Sequence, residues 1–189
     1  MSNLIDRYLL FRIRTKRDPE AFAKIYDRYV KAIYRFTLLK LPSKEEAQDI
    51  TAETFTKVWN YLQDHHEVAN LRALLYRVAR NLIADFYRTQ KSDQSLSSTV
   101  TITDGDTSIY MELEKTSDQG RGQDLVEART EMSLILRQLE KLKDDYRDVV
   151  ALRLIDGLAF ADIAEILGKT SGHVRVIFHR AIKTLKEIS

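Results

Sequence analysis

The chain has 189 residues, 44% of them hydrophobic and 31% charged, a globular balance that supplies a core and argues against disorder throughout. It has no cysteine, which excludes disulfides and thiolate metal sites, and no run of about 18 apolar residues, which excludes a helical membrane insertion. The net charge of +2 conceals a segregation: +5 over residues 1–90, −4 over 91–130 and +1 over 131–189, so basic parts suited to a polyanion flank an acidic middle. Asp6, Arg7 and Arg12 interrupt the N-terminal stretch where a signal peptide would be apolar, and the expectation is a cytoplasmic protein.

In chain order, a short amphipathic helix is expected near residues 3–16. Asp18-Pro19-Glu20 sets a capping residue before a proline at the first helical position, and Phe22, Ile25, Tyr29, Ile33 and Phe36 recur at helical spacing until Pro42 stops the helix. Ser43 and Glu46 form a capping box for a second long helix carrying Ala47, Ile50, Phe55, Val58 and Leu62, with Trp59 near its end as a core residue. A third follows on Leu71, Leu74, Leu75, Val78, Ala79, Leu82, Ile83 and Phe86.

Residues 91–123, rich in Ser, Thr, Asp and Gly, read as an acidic flexible linker; STVTITD and SIYMELE around Gly105 leave a β-hairpin open as the alternative. Helical period resumes at Asp124 and is interrupted at Asp144, Gly157 and Gly168, which predicts four short helices. The expected fold is all-α, with helical domains over 1–90 and 124–189.

The last two helices have the pattern of a helix-turn-helix. Phe160, Ile163, Ala164 and Leu167 form one apolar face, Gly168 suits the left-handed turn, and Val174, Phe178, Ala181 and Leu185 form the inner face of the next helix. Its outer face carries Arg175, His179 and Lys183 at i, i+4 and i+8, with Ser171 at its start and His173, Val176 and Arg180 alongside. Such a face beside such a turn suits the DNA major groove; a solvated stripe is the plain alternative.

In the third helix Tyr76, Arg77, Arg80, Tyr87 and Arg88 lie opposite the apolar stripe, with Asn81 beside Arg80. Alternating cations and rings fit single-stranded nucleic acid, because cations track phosphates and rings stack unpaired bases. Alternatively, the tyrosines pack on a neighbouring helix and the arginines snorkel. The second helix carries Glu46, Asp49 and Glu53 away from its apolar side, an acidic stripe that DNA would repel and a basic protein surface would accept.

These segments resemble a known family. AFAKIYDRYVKAIYRF, EEAQDITAETFTKVW and LRALLYRVARNLIADFYR resemble sigma region 2, and LEKLKDDYRDVVALRLIDGLAFADIAEILGKTSGHVRVIFHRAIKTLKE resembles sigma region 4. Both occur in family order with no region 3 between them, which is the pattern of the extracytoplasmic-function (ECF) group of bacterial sigma-70 factors. The resemblance implies a factor that binds core RNA polymerase and directs it to promoters. Asp49 and Glu53 would dock on the clamp helices of the largest subunit, Arg80 and Asn81 would engage the minus-10 element, and His173, Arg175, His179 and Arg180 would enter the major groove of the minus-35 element. Earlier helices of the C-terminal domain would rest on the polymerase flap. An anti-sigma factor is an expected partner; no catalytic residue, metal or cofactor is implied.

Departures from the family pattern include Ala52, where glutamine is frequent, and Leu74, where an aromatic is frequent. Val176, Ile177 and Ile182 stand at positions usually polar or basic, which points to a weaker grip on phosphate and more apolar base contacts, for example to thymine methyl groups.

Two readings of other classes compete. An operator-binding helix-turn-helix regulator would need an α/β receiver or a ligand-binding domain, and the N-terminal half reads as helices only. A helical nucleic-acid enzyme would rest on His65-His66-Glu67, whose adjacent histidines do not form a metal-ligand set.

Overall fold

A computed structural model of the chain describes residues 2–64, 67–93, 139 and 142–188, and every regular element among them is helical. The chain divides into two compact units, Met1–Ile102 and Thr103–Ser189. The expected linker beyond residue 93, its alternative hairpin, His65 and His66 lie outside the described residues, as does most of the stretch from Asp124 to Lys143.

The first unit holds α1 (Ser2–Lys16), α2 (Pro19–Leu38), α3 (Lys44–Gln63) and α4 (Leu71–Asp93). Asp18 caps α2 as its sequence requires: the carboxylate accepts the N–H groups of Glu20 and Ala21 at 3.0 and 3.2 Å and pairs with Arg12 of α1. Arg17 takes the left-handed backbone at φ 48° in the turn just before it. The core is the set of stripes that the helical period marks: Ile25, Tyr29, Ile33 and Phe36 of α2, Ala47, Phe55, Val58 and Leu62 of α3, and Leu71, Leu75, Ala79 and Leu82 of α4 are all buried. Between α2 and α3 runs a buried polar seam, in which the hydroxyls of Thr37 and Thr51 meet at 3.0 Å and Thr51 also donates to the carbonyl of Ala47 at 2.7 Å.

α1 departs from a simple amphipathic pattern. It buries Asp6 together with Leu9 and Ile13, and it exposes Leu4, Ile5, Tyr8 and Phe11. Asp6 tolerates burial because the Tyr29 hydroxyl donates to it at 2.6 Å and the guanidinium of Arg28 lies 3.7 Å away.

The second unit holds α5 (Asp144–Val150), a π-helical turn (Ala151–Ile155), α6 (Phe160–Leu167) and α7 (Ser171–Ile188). Breaks fall where the sequence puts them: Gly157 and Gly168 have φ of 66° and 63°, a region that glycine enters without penalty. Val149, Leu152, Leu158, Ile163, Ala164, Val174 and Ala181 form its core. Ile177 belongs to that core as well, so it is not available for the apolar base contacts expected of it; Phe178 and Leu185 are only half-buried. Among the described residues no helix is long and apolar enough to cross a membrane.

Candidate nucleic-acid and protein interfaces

α7 begins at a built corner. Gly168 closes α6 in the left-handed conformation, Lys169 donates its N–H to the Ala164 carbonyl at 2.9 Å, and the Thr170 hydroxyl accepts the N–H of His173 at 3.2 Å. The first turn of α7 contains no acidic residue, so the positive end of its dipole is not opposed there. His173, Arg175, Val176, His179, Arg180 and Lys183 are exposed and Ser171 is half-buried. Lys183 lies 3.9 Å from Glu187, which softens the charge at the far end of the row. Of the apolar departures only Val176 fully faces solvent, at 47% exposure; Ile177 points inward and Ile182 is half-buried. The outward row can therefore offer cations, imidazoles and one aliphatic group to a duplex groove.

On α4 the expected face is brought together in part. Arg77, Asn81, Tyr87 and Arg88 are exposed, and Arg80 is half-buried. Tyr76 does not belong with them: it is 1% exposed and its ring stands edge-on to Phe36 of α2, centroids 5.3 Å apart. The packing alternative wins for that residue because α2 presents an aromatic partner and the interior has room for both rings. Tyr87 keeps 39% exposure while its hydroxyl donates to the Lys40 carbonyl at 2.5 Å, which pins the ring. Arg88 pairs with Asp85 at 2.8 Å on the surface. The face is cationic and polar with a single ring.

On α3, Asp49 and Glu53 are exposed, with Ala52 between them and Glu53 paired to Lys57 at 3.1 Å. Glu46 is occupied differently. Its N–H donates to the Ser43 hydroxyl at 3.2 Å and its carboxylate accepts the Ser43 O–H at 3.0 Å, so the half-buried side chain closes the cap at the start of the helix. Exposed Glu45 completes the acidic row in its place, at i, i+4 and i+8 with Asp49 and Glu53. That spacing was the available signal for Glu45. Trp59 is half-buried and its ring meets Phe22 at a tilt of 53°, centroids 4.8 Å apart, a border position between core and this face.

Two family models match the chain. Residues 25–92 match the family described as Sigma-70 region 2, and residues 132–185 match Sigma-70, region 4. The ECF RNA polymerase sigma factor SigW of Bacillus subtilis is 33% identical over 172 residues, spanning 91% of this chain and 90% of the relative. Among solved structures, CnrH in complex with the cytosolic domain of CnrY aligns with a TM-score of 0.67 at 21% identity over 97% of this chain and 96% of that one. The sigma factor RpoE of Bartonella quintana, solved with the anti-sigma factor NepR, aligns with a TM-score of 0.61 at 23% identity, covering 88% of this chain and 94% of that one.

Proposed function

The chain belongs to the ECF RNA polymerase sigma factors of the sigma-70 family, non-enzymatic proteins that direct transcription initiation, and from that premise we propose how its exposed faces divide the work. The region 4 helix α7 reads the minus-35 duplex, with His173, Arg175 and Val176 near base edges and His179, Arg180 and Lys183 nearer phosphate. The α4 face takes the minus-10 element, where Arg77, Arg80, Asn81 and Arg88 follow the strand and Tyr87 supplies the ring. The acidic row Glu45, Asp49 and Glu53 docks on basic residues of the polymerase clamp, and earlier helices of the second unit rest on the flap.

The observation that carries this division is the segregation of charge by helix: an acidic row on α3 and a basic row on α7 that starts at a glycine corner. A factor binding DNA alone has no use for the first, and a factor binding only protein has no use for the second. By this reading the protein works in the cytoplasm, with residues 1–90 and 124–189 as its binding domains and 91–123 as the connection. An anti-sigma factor is proposed as its regulator, in keeping with the bound partner of the RpoE neighbour.

Run-off transcription with reconstituted holoenzyme on a genomic promoter library tests the division. Transcripts should arise only with core polymerase present and from promoters sharing two spaced elements. Selection of promoters that share only one element would overturn it.

A further inference from the structure

Phe160, the first residue of α6, is enclosed by cations. The guanidinium carbon of Arg153, from the π-helical turn, lies 4.7 Å from the ring centroid, and that of Arg175, from α7, lies 5.8 Å away. Phe178 meets the same ring edge-on at 5.5 Å, which fixes its plane from the core side. Arg153 is held independently, because its Nη1 donates to the Leu158 carbonyl at 2.8 Å. With the described residues Arg175 makes no hydrogen bond or ion pair; the ring is its contact.

We propose that Phe160 is a positioning residue for promoter readout, its ring face holding the guanidinium of Arg175 in the orientation in which α7 presents it to the minus-35 base edges. The inference rests on the proposed role of α7 and adds to it a residue outside the helix that touches DNA.

A free arginine samples many rotamers, and ordering it on DNA costs entropy; a guanidinium already drawn towards a ring loses less when it docks. The ring leaves the donor fork unspent, because cation–π attraction takes up no N–H of the guanidinium in a hydrogen bond and base readout needs those donors. Arg153 is the nearer and better-anchored cation, and its charge opposes a closer approach of Arg175 to the ring. The arrangement is therefore one-sided: the cation on α6's flank is structural, and the cation on α7 is presented to solvent.

The test uses holoenzyme reconstituted with the full chain and a promoter library randomised across the minus-35 element. Phe160→Leu keeps an apolar side chain against Phe178 but has no ring face; Phe160→Trp keeps the face. Phe160→Leu should lower base selectivity about three- to tenfold at the same positions that Arg175→Ala relaxes, with core affinity unchanged. Phe160→Trp should restore it, and the double variant Phe160→Leu with Arg175→Ala should be no worse than Arg175→Ala alone. Selectivity retained in Phe160→Leu, or lost equally at every position in step with the melting temperature, would overturn the inference. If Arg175→Ala itself leaves selectivity unchanged, the groove role of Arg175 fails first, and the positioning role of Phe160 falls with it.

Discussion

Tyr29 of α2 donates a 2.6 Å hydrogen bond to the buried carboxylate of Asp6 in α1, and this contact is one of those that fasten the N-terminal helix to the rest of its unit. Burial raises the Tyr29 hydroxyl, and the neighbouring Asp6 raises it further, to about 12 from an ordinary 10.0. A folded-state pKa raised above the unfolded one favours the folded form while the group is protonated. The contribution is thus complete below pH 10.0 and is lost as pH rises towards about 12. Thermal melting should show a steep loss of stability in that alkaline window, and Tyr29→Phe should remove that part of the pH dependence while leaving Asp6 short of a donor at neutral pH. A Tyr29→Phe profile that tracks the parent through the window would show that the tyrosine does not titrate there.

The acidic row and its capping neighbour should separate in function. Charge reversal at Glu45, Asp49 and Glu53 to lysine should weaken core polymerase binding by more than about 2 kcal/mol in total, from loss of interfacial charge contacts. Glu46→Gln should leave core affinity unchanged and cost at most about 1 kcal/mol of stability, because it alters only the helix cap. Equal core affinities across both variants, measured by titration, would remove the acidic row from the interface.

Tyr76 and Arg80 sit in one stretch of α4 and should fail in different ways. Tyr76→Ala leaves a void against Phe36 and should destabilise the unit by about 3–5 kcal/mol, lowering activity through folding. Arg80→Ala should preserve closed-complex binding while impairing open-complex formation. Permanganate footprinting is the measurement: normal strand opening in Arg80→Ala would refute a single-strand role for the face.

Neighbouring apolar residues of α7 should respond oppositely to the same substitution. Val176→Arg adds an exposed cation beside the row, and it should steepen the salt dependence of promoter binding by about one phosphate contact. Ile177→Arg places a charge in the core and should unfold the second unit at a lower temperature by an amount equivalent to about 3 kcal/mol or more. Equal tolerance of both, read by calorimetry and a salt titration, would mean that α7 is rotated from its described orientation.

Much of this was legible in the sequence because local chemistry decided it. Asp18-Pro19, Ser43 with Glu46, and Gly168 each fix a helix end by hydrogen bonding or backbone freedom within a few residues, and the helix ends fall there. The residues misread are those at the edge of an apolar stripe. Tyr76 and Ile177 could turn either way on their own helices, and the choice was made by partners that period alone does not reveal: Phe36 for Tyr76, and the packed interior of the second unit for Ile177. Glu46 is held for a related reason: its carboxylate accepts the Ser43 hydroxyl and its N–H donates to the same oxygen, so the cap draws the side chain in and leaves it half-buried.

The threonine seam between α2 and α3 acts as an index. Apolar ridges alone permit neighbouring helices to slide by a turn at modest cost, whereas displacing Thr37 from Thr51 would break the hydroxyl contact between the helices, at about 1 kcal/mol, and leave each hydroxyl only the carbonyl of its own helix. The seam therefore favours one rotational phase of α3, and with it the angle at which Asp49 and Glu53 leave the surface. Because α4 packs on the same α3, the seam also helps to set where the basic face of α4 stands relative to the acidic row.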